Sequence, residues 1–103
     1  MENGRYYTGT DLKFQITLTA DGFNQATDRY DIDFYCGAKV IHYTQSNIVR
    51  GSNGNFYLLI PTKELAPGMM RMVITAYVPD TDFPKAVRKE VESITLGPLK
   101  NPV

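Results

Sequence analysis

His42 is the only histidine in this 103-residue chain, and Cys36 is its only cysteine. Together they bound the chemistry the chain can perform. Proton transfer through imidazole, or attack by a serine or cysteine with histidine as its base, would have to run through His42. That residue lies between Ile41 and Tyr43 in a short strand-like run and reads as an ordinary strand residue. Carboxylates alone can supply an acid and a base, but no spacing marks out such a pair. One cysteine forms no intrachain disulfide, and one cysteine with one histidine does not build a multi-thiolate or multi-imidazole zinc site. Cys36 reads as a small buried hydrophobe in a strand. These residues lead us to expect a non-enzymatic domain with no catalytic residue and no cofactor.

Calcium is the next chemistry to consider, because hard cations take several oxygen ligands from converging loops. Asp21, Asp28, Asp31 and Asp33 lie in or beside one polar stretch, and Asp80 and Asp82 lie in another. The spacing of an EF-hand is absent, and Asp-Gly and Pro-Asp pairs are ordinary turn chemistry. We therefore assign no metal ligands. The seven tyrosines carry more weight. A core this small has little room for all of them, and exposed tyrosine offers apolar area with a polar edge, as interfaces require. Tyr6, Tyr7, Tyr35 and Tyr57 are candidate interface residues. Phe83 joins them from the segment Pro79-Asp80-Thr81-Asp82-Phe83-Pro84, either presented to a neighbour or capping the end of the core. A glycan-stacking role for the tyrosines stays open, although the chain has no tryptophan.

Bulk composition narrows the partners. Eleven Lys and Arg balance eleven Asp and Glu, so the excess of clustered cations that marks nucleic-acid binding is missing. A net charge of zero also opposes self-association only weakly. No apolar run approaches the roughly 18 residues of a spanning helix, so membrane insertion is not expected. The start, Met1-Glu2-Asn3-Gly4-Arg5-Tyr6-Tyr7, has no apolar signal region. If Met1 is the natural start, the expected location is cytoplasmic, with exit by lysis or assembly.

The elements that must position these residues follow a period of two, the signature of strands with one buried face. Leu12, Phe14, Ile16 and Leu18 alternate with polar residues; Tyr30, Ile32, Phe34 and Cys36 do the same. Val40 to Thr44 returns after a Gly37-Ala38-Lys39 turn, and Phe56 to Ile60 stops at Pro61. Thr62-Lys63-Glu64-Leu65 reads as one helical turn capped by Thr62. Met69 to Val78 is apolar on both faces, which predicts the centre of a sheet. Val87 to Leu96 changes apolar parity between Val91 and Ile94, predicting a bulge near Glu92 and Ser93. Gly97-Pro98 is expected to end that strand. Arg5 to Gly9 and the Ile48 region are candidates for a further short strand. The resulting expectation is an all-β, immunoglobulin-like antiparallel β-sandwich of about six to seven strands with one short helical turn. Its parts are an N-terminal segment at 1–10, the sandwich at 11–97 and a C-terminal tail at 98–103.

The stretch Thr62 to Val78, a turn and Pro67-Gly68 before a long alternating strand, resembles a local pattern of immunoglobulin-like and fibronectin-like domains. The disulfide pair and buried tryptophan of antibody domains are missing. Asp11-Leu12-Lys13-Phe14-Gln15-Ile16 and Val78-Pro79-Asp80-Thr81-Asp82-Phe83-Pro84 are similar to segments of small proteins encoded by phages and prophages of gut bacteria. More distantly they resemble the amino-terminal β domains of phage baseplate and receptor-binding proteins. The resemblance spans residues 10–96 and carries no ligand motif. It implies a structural or adaptor component of a virion, baseplate or head, with other virion subunits or a second copy as partners. The Arg5-Tyr6-Tyr7 segment and the tail after Gly97-Pro98 are expected to pair with a neighbouring subunit. The alternative is a β-sandwich module that binds a glycan or a surface protein.

Overall fold

A computed structural model describes residues 6–102. Residues 1–5, half of the expected N-terminal segment, lie outside the described residues, as does residue 103. The chain forms eight strands: β1 (Tyr6–Tyr7), β2 (Asp11–Gln15), β3 (Tyr30–Cys36), β4 (Lys39–Thr44), β5 (Val49–Arg50), β6 (Phe56–Pro61), β7 (Gly68–Pro79) and β8 (Val87–Lys100). A 3₁₀ turn spans Gln45–Asn47. The six strands read from alternation are all present. Both candidate short strands also form, as β1 and β5.

Sheet A has the order β1-β8-β7-β3-β4, and sheet B has the order β2-β6-β5. All neighbours are antiparallel except β1, which runs parallel to the end of β8 with Tyr6 opposite Leu99. With β2, β6 and β5 taken as B, E and D, and β3, β4, β7 and β8 as C, C′, F and G, this is the immunoglobulin-like distribution of strands. The doubly apolar β7 is the middle strand of its sheet, as its pattern predicts.

The core lies between the sheets because alternate residues of each strand point inward. Tyr30, Ile32 and Phe34 of β3 and Met70, Met72 and Val78 of β7 are all at most 2% exposed. Sheet B answers with Leu12, Ile16, Leu58 and Ile60. Phe23 packs edge-on against Tyr30, with ring centroids 6.3 Å apart, and closes one end of this layer.

Three local expectations need correction. The helical turn lies at Gln45–Asn47, not at Thr62–Leu65. There the chain makes only a tight turn, in which the Leu65 N–H donates to the Thr62 carbonyl. The Thr62 side chain is fully buried and donates to the Thr10 carbonyl at 2.7 Å, tying the turn to the start of β2. The bulge is not at Glu92–Ser93, where pairing with β7 is regular. It falls at Leu96, because Arg71 faces Thr95 while Met70 faces Gly97. The parity change has another cause: Val87, Lys89 and Val91 face outward, and Arg88, Glu90 and Glu92 face the inner side. Finally, β8 does not stop at Gly97-Pro98 but runs to Lys100, and Leu99 is 1% exposed in the core. Proline is accepted at bulges and edges, where no ladder donor is required, and Pro98 follows directly on the bulge. The two terminal segments expected to reach a neighbouring subunit pair with each other here, Tyr6 and Tyr7 with Leu99 and Lys100.

Candidate functional site

The outer face of sheet A is covered by no other layer of the described residues. Its rows follow from the register. Val40, Tyr35, Arg71 and Thr95 lie side by side across four strands, and the next row is His42, Asp33, Val73 and Ser93. Thr44, Asp31, Thr75 and Val91 come third, and Tyr77 with Lys89 continues the face.

Exposed aliphatic side chains are distributed over this mixed face. Val40, Met69, Val87 and Val91 are between 40% and 65% exposed. They do not form one patch: Tyr35 and Arg71 lie between Val40 and Met69, and Lys89 lies between Val87 and Val91. The polar groups among them are ordered by stacking. The Arg71 guanidinium lies 4.4 Å from the Tyr35 ring centroid, and that of Arg29 lies 4.4 Å from Tyr77. Arg29 also pairs with Asp31 at 2.9 Å. The hydrogen bond and charge of Asp31 push the Arg29 pKa up. Met, Tyr and Arg held in place in this way are the residues that interface centres favour.

His42 and Asp33 are cross-strand partners on this face, with Nδ1 2.6 Å from a carboxylate oxygen. Both side chains are open to solvent, at 55% and 39%. Among the described residues no hydroxyl or thiol is hydrogen-bonded to His42. Cys36 turns to the opposite, inner face, where burial pushes its thiol pKa up. The pair is a solvent-exposed cross-strand contact.

The loop aspartates do not converge. Asp28 accepts from the Asn24 N–H, Asp80 accepts from Asp82 N–H and pairs with Arg88 at 3.0 Å, and Asp31 and Asp33 are engaged as above. Among the described residues no group of three or more His, Cys, Asp or Glu is placed to hold a metal.

The five candidate interface residues do not share one surface. Tyr35 lies on the outer face of sheet A. Tyr57 lies on the outer face of sheet B beneath Lys13, whose Nζ is 4.5 Å from the ring. Tyr6 turns inward and packs edge-on against Phe14 at 6.1 Å. Tyr7 is 37% exposed near the bottom of β8, and Phe83 is 44% exposed on the β7–β8 loop at the other end. Phe83 therefore does not cap the core; Phe23 does. The residues missed are Met69, Arg71, Val73, Tyr77 and Val91. Alternation shows that they share a parity within β7 or β8, but their meeting with Tyr35 depends on strand order.

The stacked cations also bear on glycan binding. Tyr35, Tyr57 and Tyr77 each have a cation over a ring face, which is the surface a sugar ring would need. Compared with protein-family models, with curated proteins and with solved structures, the chain has no match.

Proposed function

We propose that this domain is a non-enzymatic structural or adaptor component of a phage or prophage particle, acting through protein–protein contacts. The observation that carries the interaction role is the uncovered outer face of sheet A, where exposed Val40 and Met69 flank the Arg71–Tyr35 stack. Exposed aliphatic, aromatic and stacked cationic groups side by side on an uncovered sheet face fit a protein surface better than a small ligand. The particle setting rests on the resemblance of the β2 segment and of the β7–β8 loop to small phage and prophage proteins.

Particles purified from the producing host should contain the chain. Val40→Glu and Met69→Glu place charge on exposed positions and should leave the circular dichroism spectrum and melting temperature unchanged. Incorporation of each variant should nevertheless fall. Particles that lack the wild-type chain, or that take up both variants normally, would reject the proposal.

A further inference from the structure

Among the described residues, one long side of the sandwich has no covering strand. β2 pairs only with β6, and between Val87 and Pro98 β8 pairs only with β7. β1 covers only Leu99 and Lys100. Among the described residues, two strand edges therefore lie side by side without a strand partner. A cleft of two hollows, about 270 Å³ and 240 Å³, runs between them. Ile74 and Glu92 line both hollows, so the two are continuous along the strands. Phe14, Ile16 and Leu18 form one wall, and Ile94 and Leu96 form part of the other. The joined hollows are elongated along the strand direction and lie at the surface between the two edges. The shape is that of a missing strand.

We propose that this side receives an extended segment of a partner protein, with apolar residues at alternate positions and a lysine or arginine beside Glu90 and Glu92. The unpaired edge supplies main-chain hydrogen bonds, as in strand addition, and the hollows take alternate side chains. The charge of the occupant follows from the two inward carboxylates at the Leu18 end of the cleft. Arg88 already pairs with Glu90 at 2.7 Å, yet it also bonds Asp80 and the Asp21 carbonyl, so its charge is shared. A second copy is the poorer occupant. Two-fold pairing of β8 with itself about Val91 or Glu92 would set Glu90 against Glu92, or Glu92 against its own copy, and pairing about Ser93 would set both glutamates against Ile94 and Leu96 with no cation to meet them. Like charges directly opposite destabilise a sheet. This inference is independent of the outer face of sheet A.

The test uses the full chain and two nine-residue peptides of alternating valine and threonine, one ending in two lysines and the other in two glutamates. Hydrogen exchange should be fast in the free monomer at those amides of Val87–Leu96 that β7 does not bind. The lysine peptide should slow them, and the glutamate peptide should not. Glu90→Gln with Glu92→Gln should weaken lysine-peptide binding by about two- to fivefold, the size of an exposed ion pair. Edge amides already protected in the monomer would mean that the chain closes its own side, and would overturn the proposal. So would a homodimer protected along β8, equal protection by both peptides, or no protection by either at millimolar concentration.

Discussion

The Thr62 hydroxyl is sealed from water and donates to the carbonyl of Thr10, across 52 residues of sequence. Thr62→Val keeps the shape and removes the donor, leaving a polar carbonyl without that bond. The expected cost is about 1–3 kcal/mol, read as a lower urea midpoint at unchanged slope; Thr62→Ser should recover part of it. A threonine before Lys-Glu-Leu reads equally well as a helix cap, because either use needs only the hydroxyl. What decides is the arrival of Thr10, and nothing local encodes that. Ala86 is a second residue whose role is invisible in the sequence. It is the one non-glycine described with positive φ, at 58°, where the β7–β8 loop turns back. A Cβ in that conformation costs about 1–2 kcal/mol. Ala86→Gly should therefore raise the melting temperature despite glycine's greater freedom in the unfolded chain. Cys36, by contrast, was readable as a core residue from its place in an alternating strand. Its buried thiol, raised in pKa, should resist alkylation in the native protein and react only on unfolding.

Strand β8 shows best where pattern stops being informative. In β2, β3 and β7 the apolar parity coincides with the inner face, and the elements can be read directly. In the first half of β8 the valines point out and Arg88, Glu90 and Glu92 point in, because the opposing sheet ends before it covers them. Binary alternation presumes that the opposite layer exists, and here it is missing. The outer face of sheet A was hidden for a related reason. Its members sit in four strands, and only register brings Val40, Tyr35, Arg71 and Thr95 into one row. Two glycines hold the elements in that register. Gly97 follows the extra residue of the bulge with φ 111°, a conformation that side chains rarely adopt. Gly68 opens β7 so close to the β3–β4 turn that an added Cβ would lie 2.8 Å from the Gly37 Cα. Backbone there cannot yield cheaply. Gly68→Ala should lower the urea midpoint, and it should weaken amide protection first at the Cys36–Lys39 end of the β3–β4 hairpin.

At the scale of the whole molecule, the core answers to pH from the alkaline side. Burial pushes the pKa of Tyr30, Tyr43 and Cys36 above their ordinary values of 10.0, 10.0 and 9.0. For each group the neutral form is favoured in the folded state. Between the unfolded and folded values the native chain holds a proton that the unfolded chain has released, so stability falls as pH rises. The contribution is complete below pH 9, begins to go as the cysteine of the unfolded chain ionises, and declines further above pH 10. Tyr57 runs the other way: the Asn53 side-chain hydrogen bond lowers its pKa, so it should ionise before Tyr30 in an absorbance titration. The balanced charge of the chain turns negative over the same range, adding a general repulsion that is not specific to the core. Tyr30→Phe separates the two effects. It removes the most buried titrating ring, fully excluded from solvent, and leaves the surface charge untouched. Urea midpoints from pH 7 to 11 should be level to about pH 9 and then fall in the wild type. Above pH 10 the fall should be shallower in the variant. Parallel curves would assign the alkaline loss to surface repulsion, and a midpoint level through pH 11 would remove the proton linkage of the core altogether.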